Sequence, residues 1–514
     1  MKKKYIIEFL FLFTLGGLTS LSLPPFNYFV INFFTFSFFF SFLFKKQNKV
    51  GKQINFLYGW FFGFGYFLTN LYWITISLTF DQNFNFLIPV ALILIPSFLA
   101  LFYGLITFLF NFINPKNILS AFFGFSVLFG IIEFLRGTIL TGFPWNLIVF
   151  SYSKNLNFLG ILSLIGTYSL NLVVISFFIA PAIYILRKSK KEILICIFLL
   201  ILPIVFIIYG NFQKEQFVNK EIKKTPYTIR IVGTNISLNR FYDSTQTADV
   251  ISELISISSP TLDKKILFLW PEGIIPGTYQ KEINSYSDIF AQNFDKNHLI
   301  GLGITNKEFK NGKYNFYNSF SIFDHKLNLI ENYNKNNLVP FGEFLPFENF
   351  LEKIGLKTIT NNFGSFSKGS ERKVIQIKDN SSKEIKFLPL ICYEIIYSGN
   401  LTNDYNFDFI VNISEDGWFG KSIGPKQHFT HSIFRAIESG KYVFRSANNG
   451  ISAIINPLGE IEKQVKVGNS GYIDFEKKRD FSRTIFSKYG NRIFLILILL
   501  YIFLTFSFNR FRNE

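Results

Sequence analysis

The sequence predicts a polytopic α-helical membrane bundle of about eight spans joined to an extracytoplasmic α/β domain. Three observations carry this expectation. Long apolar runs fill the first 210 residues and return near the end, basic residues cluster at alternate connections between those runs, and from about Pro226 short apolar segments alternate with polar ones. The composition agrees: at 49% hydrophobic and 19% aromatic residues with a formal charge of +17, the chain is more apolar than an ordinary soluble protein. Its 69 phenylalanines accompany heavy use of Ile, Lys and Asn, as an AT-rich coding sequence would produce, so the positions of the runs are more informative than the totals.

Lys2, Lys3 and Lys4 precede an apolar stretch from Tyr5 to Ser22, the pattern of a secretory signal peptide. A second run, Phe26 to Phe44, follows almost at once with no small-residue cleavage site between, so the pair reads as a retained membrane hairpin. Further runs near 54–78, 86–112, 118–136, 158–186, 193–209 and 492–508 complete eight. Each approaches the roughly 20 residues that the hydrocarbon core requires. The N-terminus, the 45–52 connection with Lys45, Lys46, Lys49 and Lys52, Lys116, the RKSKK run at 187–191, and Arg510 and Arg512 all fall on one side, whereas the opposite connections are poor in lysine. The positive-inside rule makes that side cytoplasmic. Both termini are then inside, and the long segment faces the periplasm of a Gram-negative cell from its inner membrane. The expected organisation is a bundle of seven spans over 1–210, an extracytoplasmic domain over 211–490, and a last span with its tail over 491–514.

Within the long segment, TIRIVGTNI, KKILFLW, HLIGLGIT, NSFSIF, IKFLPLICY, FDFIVNI and SAIINP are short and rich in Ile, Val and Phe, which favours strands; 281–297 and 427–441 read as helices. Chemistry appears where these strands end. KKILFLW runs into Pro271 and Glu272, and IKFLPLI runs into Cys392, Tyr393 and Glu394, while NYNKNNLVPFGEFLPF reads as a loop carrying Lys335 and Glu343. Open α/β sheets place their sites at such C-terminal edges. A thiol, a carboxylate and an ammonium suffice for acyl transfer: the thiolate attacks a carbonyl, the carboxylate moves the proton, and the ammonium stabilises either the thiol's charge or the oxyanion.

Each residue also has a bland reading. A cysteine after an apolar strand is more often a core residue, a Trp-Pro-Glu corner is commonly structural, and a lysine in an Asn-rich loop is usually solvated. His428 and His431 would share a helix face, yet no third ligand accompanies them, so no metal is expected, and no organic cofactor either. Cys196 lies inside an apolar span and reads as packing, with no disulfide to Cys392.

The joint order of WPE, YNKNNLVPFGEF, ICYE, NISEDGWFG, GPKQH and RAIESGKYVFRSANNG resembles the apolipoprotein N-acyltransferase family of bacterial envelopes, whose catalytic part belongs to the nitrilase superfamily of carbon–nitrogen hydrolases. LPPF, GFGYFLTNLYW and EFLRGTILTGFPWN are similar to that family's membrane motifs, so the resemblance covers nearly the whole chain. It implies an α-β-β-α sandwich, with Glu272 as general base, Lys335 as the oxyanion-stabilising lysine and Cys392 as nucleophile. Glu343, Tyr393 and Glu394 are implied as supporting residues, and Trp418, Phe341 and Phe241 as substrate contacts. Three departures stand out. Glu415 occupies a position usually held by asparagine, Phe241 stands near a position usually held by tryptophan, and Ala447 replaces a common threonine.

The implied reaction takes an acyl chain from a phospholipid, phosphatidylethanolamine, onto Cys392, and passes it to the α-amine of a diacylated apolipoprotein. The expected partners are therefore these two and membrane lipids, not nucleic acid, and the chain is expected to act as a monomer. The loops near 360–370 and 415–425 are the expected moving parts. Two rivals are a membrane-tethered amidase or nitrilase acting on a small soluble substrate, and a transporter with a degenerate binding domain, for which Glu133 and Arg136 would be the intramembrane charges.

Overall fold

The structure is a computed structural model that describes residues 3–241, 246–310, 312–346, 365–378, 384–399 and 401–510. Lys2, Arg512 and the 360–364 part of the loop expected to move lie outside the described residues. The chain divides into two compact units, Met1–Glu215 with Arg483–Glu514, and Gln216–Ser482.

In the first unit all eight predicted apolar runs form helices. Among the described residues seven helical segments are long and apolar enough to cross a membrane: Lys4–Ser22, Lys52–Phe80, Gln82–Ile113, Ile118–Thr138, Leu162–Leu186, Lys190–Val218 and Arg492–Arg510. The eighth predicted run gives the helix Ile31–Lys46, whose 16 residues rise about 24 Å, short of the roughly 30 Å hydrocarbon core. Its first residues are spent on the turns that precede Ile31.

These helices are apolar on most faces, so hydrophobicity cannot select their partners; small residues and hydrogen bonds do. A Cβ on Gly16 would lie 1.9 Å from the Phe62 carbonyl oxygen, and one on Gly65 would lie 2.0 Å from that of Phe13. The helices Lys3–Thr19 and Lys52–Leu71 therefore meet backbone to backbone. The C-terminal helix Arg492–Arg510 returns to Ile118–Thr138, where the Ser120 hydroxyl donates to the Thr505 carbonyl at 2.9 Å and Asn117 Nδ2 to that of Phe508 at 2.6 Å. Glu133 and Arg136 are fully buried and paired with each other, and Arg136 also donates to the Phe143 carbonyl and to Asn146 Oδ1. Arg136 lies in the last turn of the helix Ile118–Thr138, and the two charges close on one another inside the unit. Cys196 packs with its sulfur 3.8 Å from the Ala180 carbonyl oxygen, and both cysteines are free.

Among the described residues the second unit holds two six-stranded sheets. The strands are β1 (Ile222–Gly233), β2 (Ile266–Leu269), β3 (His298–Lys310), β4 (Lys313–Asp324), β5 (Leu329–Asn334), β6 (Ile375–Lys378), β7 (Glu384–Ile391), β8 (Phe409–Glu415), β9 (Tyr442–Asn448), β10 (Ser452–Ile455), β11 (Ile461–Val465) and β12 (Gly471–Arg479). One sheet runs β12-β1-β2-β3-β4-β5 and the other β11-β10-β9-β8-β7-β6. Ile231, Leu269, Phe320, Phe387, Val411 and Phe444 fill the space between them. On the far face of the first sheet, Phe268 and Trp270 pack with Ile251, Leu254 and Phe290 of the helices Thr247–Ser258 and Ser287–Asn293. The buried helix Gly424–Ser439 lies against β9 of the second sheet, completing the four layers. β2 and β9 are buried along their whole length because parallel strands are covered on both faces.

Gly65→Val should prise the two N-terminal helices apart and cost roughly 1–3 kcal/mol. Gly51→Ala, with nothing within 4 Å of the added carbon, should be neutral; thermal unfolding of the detergent-solubilised protein separates the two outcomes.

Candidate active site

Strand direction brings the charged residues together. β2 runs parallel to β3, β3 antiparallel to β4, and β4 antiparallel to β5, so β2 and β5 point the same way. Glu272 and Lys335, each just beyond a strand end, therefore emerge at the same edge. The stretch NYN before Lys335, read from sequence as loop, is instead the end of β5. Gly303 of β3 permits the close fit: a Cβ there would lie 2.5 Å from Glu272 Cα.

Lys335 is 1% exposed, and its ammonium sits 3.3 Å from Glu272 Oε1 and 3.0 Å from Glu343 Oε1. Asn318 Nδ2, from β4, donates to the same two oxygens at 2.7 Å each. Glu272 Oε2 accepts the backbone N–H of Glu415 at 2.8 Å, and Glu343 Oε2 that of Val339 at 2.8 Å. Although burial disfavours the ammonium, the carboxylates of Glu272 and Glu343 hold its pKa well above the ordinary lysine value. Burial lifts Glu343 against the pull of Lys335.

Cys392 directly follows β7 with φ of 50°, a left-handed conformation that a side-chain-bearing residue adopts at a cost and that recurs at functional sites. Burial pushes its thiol well above the usual range, the charge of Glu272 adds to this, and Lys335 opposes it. Both burial and the neighbouring carboxylate thus favour the neutral thiol over the thiolate.

A buried network supports this turn. His428 Nε2 lies 3.2 Å from the Cys392 carbonyl oxygen, and Asn412 Nδ2 donates to the carbonyl of Leu390 at 3.1 Å. His428 Nδ1 is 2.9 Å from Asp416 Oδ1 and 3.1 Å from Arg445 Nη2, which itself donates to both Asp416 oxygens. Although burial opposes it, Arg445 and His428 hold Asp416 well below the ordinary carboxylate range, while burial and Arg445 lower His428. The ring thus lies between the Asp416–Arg445 pair and the Cys392 carbonyl. His428, weighed from sequence only as half of a metal pair, lies against the Cys392 backbone.

Glu394 is a hub. Its Oε1 accepts from Tyr333 Oη at 2.8 Å and from the backbone of Asn336 and Asn337 at 3.0 and 3.1 Å, and its Oε2 accepts the N–H of Ile391 at 2.9 Å. It thereby ties the residues after Lys335 to the residue before Cys392. Tyr393 is buried edge-on to Tyr397, with ring centroids 5.6 Å apart. Phe241 and Trp418 stack on each other at 5.5 Å, whereas Phe341 stands half exposed with φ of 64°. The 415–425 stretch, expected to move, begins with Glu415 and Asp416, both buried in hydrogen bonds. Asn318 escaped the sequence reading because a strand asparagine carries no local signal. Asp416 and Arg445 lay in quoted motifs, and their signal was a charge inside an otherwise apolar strand or beside it.

Two facing sheets that deliver a cysteine, a lysine and a glutamate to their strand ends define a carbon–nitrogen hydrolase unit, and the model of that family, carbon-nitrogen hydrolase, matches residues 228–476. The apolipoprotein N-acyltransferase N-terminal domain matches residues 15–180. The chain is 32% identical to the apolipoprotein N-acyltransferase of Rickettsia prowazekii, over 97% of this chain and 98% of that one. With that of Rhodopseudomonas palustris it shares 30% identity over 94% and 92%. The chain belongs to the apolipoprotein N-acyltransferase family. Among solved structures, an amidase from Nesterenkonia sp. aligns with 53% of this chain and 96% of its own at 11% identity and a TM-score of 0.34, too low a likeness to bear on function.

Lys335→Met should destabilise the unit by about 3–5 kcal/mol, because it leaves two buried carboxylates without their cation. Lys335→Met/Glu343→Gln should recover part of that loss despite being the larger change. Denaturant titration of the three proteins checks both statements.

Proposed function

We propose that this enzyme N-acylates the N-terminal S-diacylglyceryl-cysteine of lipoproteins, using a phospholipid, phosphatidylethanolamine, as acyl donor and Cys392 as the acyl carrier. The observation that carries the reading is the buried Lys335 held between Glu272 and Glu343 with its charge felt at the Cys392 thiol, in a chain of this family.

Glu272 takes the thiol proton as the sulfur attacks the ester carbonyl. The oxyanion forms toward the Lys335 ammonium. Collapse breaks the ester bond, and Glu272 returns the proton to the departing lysophospholipid alkoxide, leaving a thioester. The lipoprotein amine then attacks that thioester, Glu272 accepts the amine proton, the C–N bond forms and the sulfur leaves to be reprotonated. Because the resting thiol is neutral, base and nucleophile act in one step. Glu343 and Asn318 keep Lys335 in place, while Phe241, Trp418 and Phe341 offer apolar surface to acyl chains.

The membrane helices support two lipid substrates. Withdrawing an acyl chain from a bilayer costs about 0.8 kcal/mol per methylene, which a site at the membrane surface avoids. The lysine-rich connections support an inner-membrane enzyme with cytoplasmic termini and a periplasmic catalytic unit, acting as a monomer.

Intact-mass spectrometry after incubation with phosphatidylethanolamine tests the reading. The expected result is a hydroxylamine-sensitive fatty-acyl adduct on the wild type, none on Cys392→Ala, and formation slowed about 10²–10⁴-fold in Glu272→Gln. A folded wild type that takes no adduct would overturn phospholipid donation and favour an amidase acting on a soluble substrate.

A further inference from the structure

Glu272 is flanked by a second buried ion pair that the proposed chemistry leaves unused. Glu415 ends β8 where the family pattern usually has asparagine, and its backbone N–H is the donor to Glu272 Oε2, at 2.8 Å. Its side chain is 2% exposed. Oε2 receives Arg240 Nη2 at 2.5 Å and Asn448 Nδ2 at 2.7 Å, and Oε1 receives the N–H of Gly417 at 2.8 Å. Arg240, also 2% exposed, donates from Nη1 to the Ser237 carbonyl at 3.0 Å and from Nη2 to the Gly273 carbonyl at 3.3 Å. Gly273 directly follows Glu272 and has φ of 52°. The guanidinium lies 4.3 Å from the centroid of the Phe241 ring, which stacks on Trp418.

The pair thus grips Glu272 from two sides: through the peptide N–H that holds one carboxylate oxygen, and through the carbonyl of the next residue in its chain. Lys335 and Asn318 hold the other oxygen. A carboxylate tethered at both oxygens keeps one orientation, and proton transfer demands that orientation to within a few tenths of an ångström.

We propose that the Arg240–Glu415 ion pair is a positioning device that sets the orientation of the Glu272 carboxylate toward the Cys392 thiol. The proposal rests on Glu272 being the base. It follows that the asparagine of the family pattern does not suit this chain, because it would leave the Arg240 cation buried without its counter-charge.

The test reads the nucleophile directly and needs no lipid. Full-length protein in detergent, in a Cys196→Ala background, is treated with iodoacetamide, and alkylation of Cys392 is followed by intact mass across pH, with melting curves in parallel. Glu415→Gln, Glu415→Asn and Arg240→Lys should each slow alkylation about tenfold or more at neutral pH and move its pH profile toward that of Glu272→Gln. Arg240→Lys keeps the charge but not the fork that reaches Glu415 and Gly273 together, so it tests the geometry even where a neutral variant folds poorly. Arg240→Gln/Glu415→Gln should be faster than either single variant, since it removes both buried charges together. Single variants within about threefold of wild type, a double variant as slow as the product of the singles, or slowing that follows loss of fold with an unmoved pH profile would each overturn the proposal. If Glu272→Gln itself alkylates like wild type, the assignment of the base fails and takes the pair's role with it. If only the pair variants do so, the base stands and the pair does not position it.

Discussion

A single buried ammonium organises the catalytic unit. Removing Lys335 from water is tolerable only because two carboxylates lie within about 3.3 Å of it, and burying those carboxylates is tolerable only because of the lysine. Their remaining lone pairs must also be filled. Asn318 and the backbone of Val339 and Glu415 do this, and each comes from a different part of the chain. The position of β5, the loop that follows it and the end of β8 are all constrained by this requirement.

The same logic extends to the turn at Cys392. Cys392 holds a left-handed backbone conformation that its neighbours have to enforce, and buried polar groups act there beside the apolar core that the cysteine joins. Asp416 and Arg445 neutralise each other beneath the turn, and His428 carries their hydrogen bonding up to the Cys392 carbonyl. Glu394 then locks this turn to the residues beside Lys335. Cys392, Lys335 and Glu272 sit at separate strand ends, and these hydrogen bonds are what convert strand ends into one fixed constellation.

The membrane unit solves a different problem with different means. Helices that are apolar all round gain nothing by hiding apolar surface from lipid, so their arrangement rests on glycine seams and on a few buried polar contacts such as Ser120 with the Thr505 carbonyl. Glu133 and Arg136 are likewise paired with each other within that unit.

Much of this was legible in the sequence. The eight apolar runs, most of the strands and the order of Glu272, Lys335 and Cys392 follow from local composition and motif, because apolar length and period-two patterning are properties of neighbouring residues. Five strands, β5, β6, β9, β11 and β12, escaped notice. β9 carries Arg445 and Asn448 yet is wholly buried, and only partners distant in sequence make that possible. Tertiary structure alone decided that Asn318 bridges two carboxylates 46 and 25 positions away, and that Arg240 meets Glu415 across 175. The sequence by itself determined which residue types are present and which strand ends carry them; the fold decided which charges are buried together, since burial and its compensation arise only when distant segments are brought into contact.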